Sequence, residues 1–171
     1  MRQLCYGVAA TLDGFIAGPN GEYDWIVRDP TIDFAAMFAP YDTLLMGRGT
    51  YQVASAEGKS WDSFGQRWFI VSTTLKPEDH PKVTILSSGV AQAVAALKAQ
   101  PGKGIWLFGG GILFRSLLDA GLVDMVEVSL MPVMIGGGIP LLPKGKRCPL
   151  KLTESTALPS GILMLKYAIE R

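Results

Sequence analysis

The sequence predicts an α/β domain: a mixed, mostly parallel sheet with helices on both faces and an antiparallel C-terminal part. Three observations carry that expectation. Over the first two-thirds of the chain, short apolar runs alternate with segments of helical spacing. The last third holds long or alternating runs parted by glycine and proline turns, with no helix between them. The 171 residues contain no repeat and no low-complexity linker, so one domain is expected over residues 1–171.

Taken in order, Leu4 to Leu12 reads as a strand closed by the turn pair Asp13-Gly14. Phe15-Ile16-Ala17 is a short apolar segment before the loop Gly18-Pro19-Asn20-Gly21. Asp33 to Phe38 sets Phe34, Met37 and Phe38 at helical spacing and should stop at Pro40. Thr43 to Met46 is a buried strand ending at Gly47, and a second helix should open within Arg48-Gly49-Thr50-Tyr51. Arg67 to Ser72 and Val83 to Leu86 are further strands, and Val90 to Ala99 is an amphipathic helix stopped by Pro101-Gly102. Ile105 to Phe108 is a buried strand that breaks at Gly109-Gly110-Gly111. The helix that follows puts Leu113, Phe114, Leu117 and Leu118 on one face, with Arg115 off that face and expected in solvent. Val123 to Val133, Leu150 to Ala157 and Ile162 to Ile169 complete the sheet, with a turn at Gly136-Gly137-Gly138.

The composition narrows the function classes. A content of 49% hydrophobic and 18% charged residues is that of a folded domain. Sixteen basic against fifteen acidic residues leave no field to attract nucleic acid or an anionic membrane, and the Lys144, Lys146, Arg147 cluster reads as a solvated loop. Cys5 and Cys148 make neither a disulfide framework nor a metal site, and a reducing compartment suits them. His80 is the sole histidine and sits in a turn, so histidine-based nucleophilic or metal chemistry is not expected. The chain opens without a basic segment leading into an apolar run, and its apolar stretches are too short for a span. The expectation is a cytoplasmic protein without metal.

The chemistry gathers at strand ends. In an open α/β sheet, ligands sit beyond the carboxyl ends of the parallel strands. There the sequence puts Leu12-Asp13-Gly14, Gly47-Arg48-Gly49-Thr50, Ser72-Thr73-Thr74 and Gly109-Gly110-Gly111. A glycine turn feeding a helix offers free N–H groups and a positive dipole end to a pyrophosphate. An arginine fork among hydroxyls suits a phosphate monoester. Taken singly, Arg48 also reads as a surface arginine, Thr50 as a helix cap and Ser72-Thr73-Thr74 as a polar strand end. Together they describe NADPH, which carries both a pyrophosphate and a 2′-phosphate. A Rossmann arrangement fits poorly, because no GxGxxG follows the first strand and the glycine turn comes late.

Leu44 to Tyr51, Ile70-Val71-Ser72-Thr73 and Phe108-Gly109-Gly110-Gly111, in that order, resemble the dihydrofolate reductase superfamily. Thr11-Leu12-Asp13-Gly14-Phe15-Ile16-Ala17 and the segment from Leu122 to Gly138 are more similar to its other branch, which holds the reductase domain of the bifunctional riboflavin-biosynthesis protein RibD and small stand-alone relatives. The resemblance runs from about Gln3 to Arg171. It implies a three-layer α/β/α domain with a sheet of about eight strands, NADPH as cofactor, and hydride transfer to a small heterocycle or carbonyl compound. It further implies that Ala9 and Ile16 line the nicotinamide ribose. Gly47, Arg48 and Thr50 would hold phosphate and ribose, with Ser72 and Thr73 around the 2′-phosphate. Gly109, Gly110, Gly111, Ile112 and Leu113 would cradle the pyrophosphate. A homodimer is usual in that branch.

On the substrate side the resemblance nominates Thr11, Asp13, Asp33 and Ser129. Asp33 stands where folate enzymes carry a carboxylate on the first helix, and Asp13 is the rival carboxylate. Asp13 also reads as a plain Asp-Gly turn residue. The zinc-binding deaminase segment of the bifunctional riboflavin protein has no counterpart in this sequence. Three functions follow in order: a pyrimidine reductase of the riboflavin type, a folate-type reductase, and a nucleotide-binding module without catalysis.

Overall fold

The computed structural model describes residues 1–56 and 65–170, so Arg171, the far limit of the resemblance, lies outside the described residues. In chain order the elements are β1 (Leu4–Thr11), β2 (Phe15–Ala17), α1 (Phe34–Phe38), β3 (Tyr41–Gly47), α2 (Arg48–Ala56), β4 (Arg67–Val71) and β5 (Thr84–Leu86). Then come α3 (Val90–Ala99), β6 (Gly104–Gly109), α4 (Gly111–Asp119), β7 (Met125–Met131), β8 (Ile139–Pro140), β9 (Leu150–Ala157) and β10 (Leu163–Ile169).

Eight strands form one sheet in the order β5-β4-β3-β6-β1-β7-β10-β9, and β2 pairs with β8 in a separate two-stranded ladder. Every neighbouring pair from β5 to β7 is parallel, and β7–β10 and β10–β9 are antiparallel. The expected mixed sheet is therefore present, with its antiparallel part at the C-terminal end. The boundary between the two parts follows from connection length, since only the long crossovers of the first two-thirds carry helices.

Two cores lie on the two faces. On one, Val94, Leu97, Leu113, Phe114 and Leu117 of α3 and α4 close over Leu4, Tyr6, Leu45, Ile105 and Leu107. On the other, Phe38 of α1 and Tyr51 of α2 close over Cys5, Leu44, Met46, Trp68, Ile70 and Trp106. Alternation along each strand divides its side chains between the two. The second cover is short, because α1 has only five residues. All eight residues of β9 are exposed.

Among the described residues, three basic side chains are buried. Arg115, expected in solvent, is 9% exposed. Its guanidinium pairs with Asp119 one turn on and donates to the Lys146 carbonyl at 3.2 Å, which ties α4 to the 140s loop. Lys98 and Arg2 are also buried, Lys98 against Asp124 and Arg2 against Asp42. The Lys144, Lys146, Arg147 cluster is exposed as expected. His80 lies just past a short 3-10 turn (Pro77–Asp79), and its Nδ1 is 2.8 Å from Tyr51 Oη.

Candidate functional site

The carboxyl ends of β3, β6 and β1 are neighbours, because β6 lies between the other two. Strand order thus sets side by side three loops that are far apart in sequence. Met46 pairs with Gly109, and a Cβ on Gly47 would stand 3.9 Å from the Gly109 carbonyl. Gly109 has φ +115°, a conformation that glycine adopts without penalty, and the Gly109–Gly110 peptide is cis. Thr50 Oγ1 lies 3.9 Å from where a Gly109 Cβ would be. Gly47, Thr50 and Gly109 therefore form one wall.

α4 begins directly at this wall. Its cap, Gly110, has no side chain to bond the first turn, so the leading N–H groups of the helix carry no side-chain cap. A Cβ at Gly110 would meet nothing within 4 Å, so the space over the helix start is open. Ile112 is exposed there and Leu113 turns into the core. Gly111 is held from behind, since its Cβ position is 3.1 Å from the carbonyls of Pro140 and Leu141.

The third loop reaches the site through an arginine. Arg48 Nη1 donates to Thr74 Oγ1 at 2.7 Å and remains exposed. Ser72 is buried, and its Oγ accepts the N–H groups of Thr74 (3.2 Å) and Leu75 (3.0 Å), which shapes the loop. Thr73 is exposed beside it. Sequence reading assigned Ser72 and Thr73; the hydroxyl that Arg48 touches belongs to Thr74, visible in the sequence only as the last member of a hydroxyl run.

On the face of the second core, Ala9 and Ser129 are paired across β1 and β7. Ser129 Oγ lies 3.2 Å from Met164 Sδ. Ile16, half-buried, packs against the core from β2. Thr11 is fully buried, with its hydroxyl donating to Asp13 Oδ1 at 2.5 Å and accepting from Phe15 N at 3.0 Å. Asp13 Oδ2 accepts Ile135 N (3.0 Å) and Gly136 N (2.7 Å). The bond from Thr11 is the largest of the effects that hold the Asp13 carboxyl below its ordinary range, and the backbone bonds add to it. Asp33 is the N-cap of α1: Oδ1 accepts Ala36 N at 2.9 Å, and the residue is exposed. Both carboxylates thus have structural duties. Asp29, buried and bonded to Thr31 and Ser160, ties the loop before α1 to the β9–β10 turn and is held well below the usual carboxylate range.

A family model described as the RibD C-terminal domain matches residues 2–164. The chain belongs to the RibD C-terminal domain family. It is 32% identical to the uncharacterized protein YyaP of Bacillus subtilis (strain 168) over 97% of this chain and 94% of that one. It is 26% identical to YwjB of the same organism over 82% of each. Among solved structures it is similar to a protein of Shewanella sp. PV-4 provisionally named for riboflavin biosynthesis, with a TM-score of 0.85, 24% identity and 99% of both chains covered. It also resembles the Thermotoga maritima diaminohydroxyphosphoribosylaminopyrimidine deaminase/5-amino-6-(5-phosphoribosylamino)uracil reductase, at TM-score 0.73 and 18% identity, over 98% of this chain and 56% of that one. Enterococcus faecalis dihydrofolate reductase, solved with NADP(H), matches at TM-score 0.70 and 16% identity, over 99% of this chain and 97% of that one. The dihydrofolate reductase-like fold and the riboflavin-type branch are thus as the sequence motifs implied, and the domain is of a reductase family. The ends of β3, β6 and β4 bring together N–H groups without a side-chain cap, an open glycine turn and an exposed arginine among hydroxyls, a donor set that fits a phosphorylated dinucleotide.

Proposed function

We propose that this chain is a cytoplasmic NADPH-dependent reductase that delivers a hydride to a small heterocyclic or carbonyl substrate, most like 5-amino-6-(5-phosphoribosylamino)uracil reductase. The observation that carries this reading is the bond from Arg48 to Thr74 beside the open glycine turn. It sets a cationic fork among the hydroxyls of Ser72, Thr73 and Thr74 while leaving it exposed, as a 2′-phosphate requires.

When bound, the cofactor supplies the hydride. The chain's own work is to bind and orient. Gly109, Gly110, Gly111, Ile112 and Leu113 hold the pyrophosphate through backbone N–H groups, and Gly47 and Thr50 hold the adjoining phosphate and ribose. Ala9 and Ile16 bound the nicotinamide ribose. On the substrate side, Ser129 lines the space, the buried Thr11 acts through the Asp13 turn that its hydroxyl fixes, and Asp33 acts through the start of α1. The proposed partner is a second copy of the chain.

The test is a pair of titrations followed by an assay. NADPH is expected to bind the native protein more tightly than NADH, and Arg48→Ala to narrow that gap by about tenfold, the scale of a lost charge-assisted bond. Equal affinities, or an unchanged gap, would overturn the assignment. Loss of reduced-nicotinamide absorbance with an aminopyrimidine ribose phosphate, with dihydrofolate or with neither then separates the riboflavin-type, folate-type and non-catalytic alternatives.

A further inference from the structure

Residues 140–146 run along one face of α4. The Cβ position of Gly111 lies 3.1 Å from the Pro140 and Leu141 carbonyls and from Pro143 Cδ. One turn on, Arg115 shares that face, and a Cβ on Gly145 would stand 2.8 Å from its guanidinium. Arg115 Nη1 donates to the Lys146 carbonyl at 3.2 Å, while Nε donates to Asp119 Oδ2 at 2.9 Å. The buried arginine is thus the bracket that fixes the loop to the helix.

Lys144 stands between the two points of attachment. Pro143 before it touches the first turn of α4 and Gly145 after it touches Arg115, so its backbone is held beside the start of the helix. Its side chain is exposed and, among the described residues, forms no ion pair. Lys146 lies further along, where its charge acts on Asp119. A helix start ordinarily attracts acidic side chains and a capping oxygen, and the dipole disfavours a cation there. The first turn of α4 has no acidic residue and no side-chain cap, and a lysine is held beside it instead. Two positive groups that converge in this way, with no acid in that turn, are the setting of an external anion.

We propose that Lys144 places its ammonium on the anion bound at the start of α4, and that Arg115 is the positioning residue that keeps the loop there. This rests on the reductase reading for the identity of the anion, the pyrophosphate of the dinucleotide. NADPH and NADH share that group, so Lys144 raises affinity for both without choosing between them, whereas Arg48 addresses the 2′-phosphate.

The test is a set of titrations of the full chain with NADPH, NADH and inorganic pyrophosphate. Lys144→Gln is expected to weaken all three by about tenfold, the scale of a lost charge-assisted bond. The NADPH-to-NADH ratio should stay unchanged, and the loss should shrink in high salt. Lys146→Gln, in the same loop, is expected to change none of them by more than about twofold. Arg115→Met, or Gly145→Ala where that variant does not fold, displaces the loop and should bring the same loss, and adding Lys144→Gln to it should weaken binding no further. The assignment to Lys144 is overturned if Lys144→Gln leaves NADPH and NADH affinities unchanged, if it alters their ratio, or if Lys146→Gln costs as much. Additive losses from the loop variant and Lys144→Gln would overturn the positioning role. If pyrophosphate binding depends on Lys144 while NADPH fails to bind, the reductase reading falls and the anion site stands.

Discussion

Asp13 Oδ2 accepts the N–H of Gly136 at 2.7 Å, joining the turn after β1 to the loop after β7 across 122 to 123 residues of chain. The other oxygen takes the Thr11 hydroxyl. The Asp-Gly turn is therefore a clasp between these two loops. Its bonds favour the ionised form, so the folded carboxyl lies below the ordinary value of about 3.9. A depressed folded value gives stability that is full above the unfolded value and is lost as pH falls through the folded one. We therefore expect native protein to exceed Asp13→Asn in denaturation midpoint at neutral pH, with the gap shrinking below about pH 4. A gap that acidification leaves intact would contradict the clasp.

Gly7 and Trp106 make the second prediction. The indole occupies the place of a Gly7 side chain and is held by edge contacts with Phe38 at 5.3 Å and Tyr41 at 4.9 Å. Gly7→Ala must push the ring out of this packing, an overpacking cost of about 1–3 kcal/mol. Urea unfolding should show that loss, with a shifted tryptophan emission in the folded state. A variant as stable as the native protein would mean that the ring moves freely.

Lys98 and Asp124 give the third. The ammonium is buried, donates to the Leu122 carbonyl at 2.6 Å and pairs with Asp124, whose Oδ2 also accepts Leu4 N at 2.8 Å. This triangle fastens the end of α3 to the starts of β1 and β7. Removing one member of a buried pair costs about 3–5 kcal/mol, and the partial exposure of Asp124 puts Lys98→Met at the lower end. A loss near zero on calorimetric unfolding would rule out the fastening.

The difference between Lys98 and Leu97 explains how much of the molecule could be read in advance. Leu97 follows the helical period and is in the core. Lys98 is buried because Leu122 and Asp124 come from another part of the chain, and no local pattern records that meeting. The same holds for Arg2 with Asp42 and for Arg115 against the 140s loop. Strand ends are different. Apolar runs ending in glycine or hydroxyls mark the edge where parallel strands converge, so Gly47, Arg48, Ser72 and Gly109 were legible as a set. Asp33 was legible as a carboxylate at a helix start, but capping and substrate contact call for the same residue there.

The final prediction concerns the edge strand. β9 is eight residues long and wholly exposed, a template for association unless something covers it. Leu150 and Leu152 pair with Ile169 and Tyr167 of β10, so these four share one face, and Leu150 and Leu152 are 43% and 50% exposed. The opposite face of the same strands carries the Lys166–Glu154 pair. An apolar face beside a charged one at a sheet edge suits a symmetric contact with a second copy through the apolar side. Light scattering on the native protein should therefore give twice the chain mass. Leu152→Lys puts a charge into that contact and should raise the dissociation constant by about thirtyfold or more, with the folded circular dichroism unchanged. A native protein that stays monomeric at every concentration would remove the dimer, and a Leu152→Lys variant that stays dimeric would move it to another surface.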